Sequence, residues 1–149
     1  MQAHPGQGVF IRATPDAVFE YVADLSRHKE WAADTVNAMP HEEGPVAVGK
    51  RYHSDNHFQL GDVHDELEVT IYEPPRRFGF IARGPKADVD HLFVLTPTND
   101  GTDVQRVITV LRAPLMLRLF LPVADLLFGK ASNTKSLAQL KAKLEMPGS

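Results

Sequence analysis

Residues 88–111 read DVDHLFVLTPTNDGTDVQRVITVL. Two runs of period-two character, Asp88 to Thr96 and Asp103 to Leu111, flank Asn99-Asp100-Gly101. Asn, Asp and Gly tolerate the turn backbone that closes a tight antiparallel hairpin. Side chains alternate across a strand, so His91, Phe93, Leu95, Val104, Arg106, Ile108 and Val110 share one face. The other face carries Leu92, Val94, Thr96, Asp103, Gln105, Val107 and Thr109. The first set is the more apolar and is assigned inward. Pro114 ends the sheet region. Beyond it the period becomes helical to about Met146, with an interruption or bend at Pro122. Leu126, Asn133, Leu137, Leu140 and Leu144 fall on one stripe at about 100° per residue. A hairpin that feeds a helix with an apolar stripe must lay that stripe across its inner face.

Working outward, Val9-Phe10-Ile11 reads as a first strand. Thr14-Pro15-Asp16 starts a helix: Thr14 caps, Pro15 takes the first helical position and Asp16 sits in the positive first turn. Ser26 caps a second short helix ending near Trp31. Strands follow at Asn37-Ala38-Met39, Arg51 to Gln59, Asp62 to Tyr72 and Phe78 to Arg83, with Pro74-Pro75 forcing a turn because neither residue donates to a ladder. Phe78, Phe80 and Ala82 join the inward set. The order is strand, two helices, six strands, long helix. The expected class is α+β: a curved antiparallel sheet of six to seven strands wrapped around a long C-terminal helix, with residues 1–149 forming one domain.

Register arithmetic orients the hairpin around residue 60. If Leu60-Gly61 is the turn, Asn56 opposes Asp65, Ser54 opposes Leu67 and Tyr52 opposes Val69 on an inward face. The outward face then pairs His57 with His64, Asp55 with Glu66 and His53 with Glu68.

The composition is that of an ordinary globular chain, 43% hydrophobic and 23% charged among 149 residues,. A net charge of −3 with interspersed signs leaves no basic footprint for nucleic acid,. The absence of cysteine removes disulfides, thiolate metal sites and thiol nucleophiles, and fits a reducing compartment,. No basic-then-apolar leader opens the chain, so a cytoplasmic location is expected. The most apolar stretch, Leu115 to Phe128, falls short of the roughly 20 residues a spanning helix needs. It also contains Arg118, Pro122 and Asp125.

Several segments together resemble START-like helix-grip proteins, also labelled SRPBCC, and within them the bacterial polyketide cyclase/dehydrase-like branch. They are Ile11-Arg12-Ala13-Thr14-Pro15-Asp16-Ala17-Val18-Phe19 with Asp24 and Trp31; Val48-Gly49; Tyr72-Glu73-Pro74-Pro75-Arg76-Arg77-Phe78; Gly101-Thr102; and Leu140-Lys141-Ala142-Lys143-Leu144-Glu145. The resemblance covers nearly the whole chain. It implies a deep cavity between sheet and helix used for lipids, polyketides, hormones or quinones, in proteins that range from aromatase/cyclases to passive carriers. It carries over no catalytic motif and no cofactor.

Asp65, His91 and Arg106 are charged or polar residues at inward positions. Buried charge is costly unless paired, and ligand pockets place a few polar anchors in apolar walls. With Tyr52 and Asn133 these residues are the expected anchors, and Phe80, Phe93, Ile108 and Leu126 the expected apolar lining. A catalytic version casts His91 as general acid or base, Asp65 as its orienter and Arg106 as the stabiliser of an enolate oxygen, in a cyclase or dehydratase. His53, Asp55, His57 and His64 have metal-ligand chemistry. They fall on the outward face, where alternating polar residues need no further cause, and no metal ligand is assigned. Trp31 reads as a core or cavity-mouth residue. Leu117, Phe120, Leu121, Ala124, Leu127, Phe128 and Ala131 make segment 117–131 apolar on more than one side. Burial beneath loops, a homodimer contact, and a peripheral membrane contact or cavity gate are the three readings of that segment.

Overall fold

A computed structural model describes residues 2–3, 7–33, 35–58, 61–85, 87–115, 119 and 130–146, with backbone alone at 2, 3, 36, 57, 58, 61, 130 and 131. The strands are β1 (Gln2–Ala3), β2 (Gln7–Ile11), β3 (Thr35–Pro40), β4 (Arg51–Phe58), β5 (Gly61–Glu73), β6 (Arg77–Arg83), β7 (Asp88–Pro97) and β8 (Thr102–Arg112). They form one antiparallel sheet in the order β1-β8-β7-β6-β5-β4-β3, with β2 also paired to β8. The two-residue β1 adds to the expected strands. Helix α1 (Pro15–Ala23) and a 3₁₀ helix (Leu25–Glu30) fill the crossover between β2 and β3, and α2 (Lys130–Glu145) closes the described chain. This is the expected helix-grip arrangement.

Local chemistry explains the crossover. The Thr14 side chain accepts from Ala17 N at 3.2 Å and caps α1, with Pro15 in the first turn,. The cap of the next helix is Asp24, not Ser26: the Asp24 carboxylate accepts from Ser26 N at 3.2 Å. Because this helix is 3₁₀, residues three apart eclipse. Leu25, His28 and Trp31 therefore all turn to the core, at 0%, 4% and 0% exposure.

The grip on α2 comes from both sides. Lys141 Nζ donates to Phe10 O at 2.8 Å and to Glu145 Oε2 at 2.7 Å, and that oxygen also accepts from Arg12 N at 2.8 Å. Opposite, Ser136 Oγ accepts from Ala33 N at 2.9 Å. Between these ties Leu137 and Leu140 enter the core and Leu144 packs at its edge. The stripe read from the sequence holds over these residues. Pro122 and the bend expected there lie outside the described residues.

One register differs from expectation. Phe58 pairs with Gly61, which places Ser54 opposite Asp65, Tyr52 opposite Leu67, Asp55 opposite His64 and His53 opposite Glu66. The pairing has slipped by two residues from a turn at Leu60-Gly61, because Gly61 is already in the ladder. An even slip keeps every side chain on its face. The inward set survives; the outward neighbours change.

Candidate ligand-binding site

The inner face changes character along its strands. Phe78, Phe93, Leu95, Thr102 and Val104 are at most 2% exposed beneath the helices. Farther along the same face, Asn56, Asp65, Val89, His91, Arg106, Ile108 and Val110 are only half-buried. At that boundary the apolar floor gives way to a mixture of polar and aliphatic side chains.

Val69, Phe80, His91 and Ile108 form one row across β5 to β8, and Arg106 opposes Phe93 one step away. The His91 ring stacks on Phe80, centroids 4.5 Å apart and planes within 7°. Arg106 reaches His91 Nδ1 through Nη2 at 3.2 Å and Asn133 Oδ1 through Nη1 at 3.2 Å. Its Cζ lies 5.3 Å from the Phe93 ring centre and 5.9 Å from that of Trp31. Asn133 donates onward to Gln7 Oε1 at 2.6 Å, tying α2 to β2 beside the guanidinium.

Protonation follows from these contacts. A guanidinium only donates, so His91 Nδ1 accepts and the neutral ring carries its proton on Nε2. Burial, then the Arg106 and His28 charges, hold the His91 pKa well below the ordinary histidine value,. His28 is lowered to about 4, chiefly by burial. Its Nε2 donates to Val22 O at 2.8 Å. Trp31 stands against His28 and Phe93, with ring centres 4.6 Å and 6.0 Å away. The buried Trp31 Nε1 has no hydrogen-bond partner among the described residues. The cluster thus presents donors: Arg106 N–H, His91 Nε2–H and Trp31 Nε1–H.

The residues expected from the sequence divide. Phe80, His91, Phe93, Arg106, Ile108 and Asn133 come together. Tyr52 is 1% exposed and belongs to the packed core, where burial raises its pKa to about 12. Asp65 stands apart. It lies four residues along β5 from Val69, and β5 is two strands from β7. That separation is about 13 Å along the strands and about 10 Å across them. Its carboxylate accepts from Asn56 Nδ2 at 3.1 Å, and burial raises its pKa. The proposed catalytic set therefore lacks its orienting carboxylate. Leu126 lies outside the described residues, as does most of segment 117–131. The side chains of Leu115 and Leu119 are 72% and 69% exposed. His28 and Gln7 were missed. The threefold spacing Leu25-His28-Trp31 is the signal that could have found His28. A separate cleft of about 370 Å³ between the 3₁₀ helix, β3 and α2 is lined by Lys29, Glu30, Lys143 and Met146 among others.

A sheet gripping a helix over a donor-bearing inner face defines the class: a helix-grip, START-like protein. The chain belongs to the polyketide cyclase/dehydrase and lipid transport family, whose model matches residues 7–145. Comparison with curated proteins returns no match. Among solved structures it is similar to TTHA0849 from Thermus thermophilus, with 18% identity, a TM-score of 0.78 and coverage of 99% of this chain and 100% of that one. A START superfamily protein from Mycobacterium smegmatis has 16% identity, a TM-score of 0.75 and coverage of 97% and 98%. The aromatase/cyclase Zhui from Streptomyces sp. R1128 has 12% identity, a TM-score of 0.71 and coverage of 97% and 94%. Among the described residues no helix is long and apolar enough to cross a membrane.

Proposed function

We propose that this protein binds and carries a small, largely apolar molecule bearing an oxygen-rich end, of lipid, quinone or polyketide type, on the inner face of its sheet. The observation that carries the reading is the convergence of donors from Arg106, His91 and Trp31 at the edge of an aromatic floor. The buried Trp31 N–H, without an acceptor among the described residues, calls for a ligand that supplies one: a carbonyl, carboxylate or phenolic oxygen,. Val89, Ile108 and Val110, half-buried farther along the same face, supply apolar surface for the remainder. Family membership is consistent with either a carrier or a cyclase. The distance of Asp65 from His91 favours the carrier, because a neutral histidine beside a guanidinium is a weak base.

Native mass spectrometry of the protein as purified, followed by solvent extraction, tests this. An adduct whose extracted molecule is apolar with an oxygen function, and which is lost in Arg106→Ala, supports it. An adduct-free protein that also fails to bind hydroxynaphthoate saturably rules it out. Turnover of an added poly-β-ketone, abolished in His91→Ala, would replace the carrier with an enzyme.

A further inference from the structure

The outer face of the β4–β5 hairpin holds a second cluster that the ligand site does not use. The observed register sets Asp55 opposite His64 and His53 opposite Glu66. Ligand-type atoms of His53, Asp55 and His64 all lie within 4.8 Å of one another. Asp55 Oδ1 is 2.6 Å from His64 Nδ1 and 3.2 Å from His53 Nε2. The two imidazoles lie parallel, 10° apart in plane with centres 6.1 Å apart.

We propose that His53 Nε2, the Asp55 carboxylate and His64 Nδ1 bind a divalent transition-metal ion of the zinc type. Two imidazoles and one carboxylate are the donor set such ions take, and they leave coordination positions for water. Tetrahedral bonds of about 2.0 Å put ligand atoms about 3.3 Å apart, so rotation of exposed side chains closes the set. The surroundings point the same way. Glu66 Oε2 lies 3.4 Å from His53 Nδ1, the nitrogen that faces away from Asp55. Glu66 Oε1 is in turn 2.8 Å from His41 Nε2. Shortened to a hydrogen bond, the Glu66–His53 contact would hold the proton on the far nitrogen and free the near nitrogen as a ligand, which is how metal-binding histidines are oriented. Glu66 is thus a positioning residue. An ion held here would cross-link β4 to β5 on the face opposite the ligand site.

Calorimetric titration of tag-free protein with Zn²⁺ near neutral pH tests this. The expected result is about one ion per chain, with affinity reduced more than about tenfold in His53→Ala, His64→Ala and Asp55→Asn, and about tenfold in Glu66→Gln. Circular dichroism verifies that each variant is folded. Histidine ring signals of the unmodified protein give a second readout that needs no variant. Those of His53 and His64 shift with Zn²⁺ while those of His28 and His91, on the other side of the sheet, do not. Absence of saturable Zn²⁺ binding, unchanged binding in the His53→Ala/His64→Ala double variant, or shifts confined to other histidines would overturn the site.

Discussion

Arg106 Nη2 lies 3.2 Å from His91 Nδ1 on the neighbouring strand, and this contact leaves His91 a donor through Nε2. A bound oxygen would meet both groups at once. Charge-assisted hydrogen bonds contribute about 1.5–3 kcal/mol each. Arg106→Ala is therefore expected to weaken hydroxynaphthoate binding by about 10–100-fold in a calorimetric titration. Arg106→Lys should recover only part of it, since an ammonium lacks the planar fork. Equal affinity in Arg106→Ala would remove the guanidinium from the site.

His28 gives the fold a pH dependence. Its pKa falls from an ordinary 6.5 to about 4 in the folded chain, chiefly by burial. The unfolded chain therefore binds this proton more readily between about pH 4 and 6.5, and stability falls on acidification through that window. The shift corresponds to about 3 kcal/mol. His91, also lowered, acts in the same sense; Asp65 and Asp90, raised by burial, act in the opposite sense. His28→Gln keeps a donor for Val22 O without the titration. Its urea midpoint should depend less on pH across that window. An unchanged slope would place the dependence elsewhere.

Gly101 and Thr102 form a joint between the last hairpin and the start of α1. A Cβ on Gly101 would sit 2.2 Å from Ile11 O, and the Thr102 hydroxyl donates to Ala13 O at 2.8 Å. Gly101→Ala forces backbone apart and should cost more than Thr102→Val, which loses a buried hydrogen bond worth about 1–3 kcal/mol. Thermal melts of the two variants check the order. Wild-type stability in Gly101→Ala would contradict it.

Leu140 is fully buried where α2 meets the sheet, whereas Leu144 packs at the core's edge. Leu140→Ala should cost about 2–5 kcal/mol in denaturant unfolding, and Leu144→Ala less. Equal losses would mean that the grip extends evenly to the helix end.

Much of this was legible in the chain. Alternation in residues 88–111 fixed the inner face, and the 133–144 stripe fixed the helix side that meets it. The same parity placed His91 and Arg106 together, because their strands are neighbours. It could not do so for Asp65. Parity assigns a face but not a position along it, and two intervening strand spacings separate Asp65 from His91. The β4–β5 register was missed for a related reason. A two-residue slip leaves the hydrophobic pattern unchanged, so only the turn chooses between the registers. That slip brings Asp55 opposite His64 and turns an ordinary polar face into a candidate metal site. His28 was hidden because a 3₁₀ helix repeats every three residues, a period that a helical reading at 3.6 blurs.

Trp31 is the only tryptophan, so its indole N–H gives one signal in a nitrogen–proton correlation spectrum. It stands against Phe93 and near Arg106, with its nitrogen lacking a hydrogen-bond partner among the described residues. Titration with hydroxynaphthoate should move that signal saturably, together with the His91 ring, and Arg106→Ala should weaken the response. Saturable binding that leaves both signals in place would put the ligand somewhere other than the inner face of the sheet.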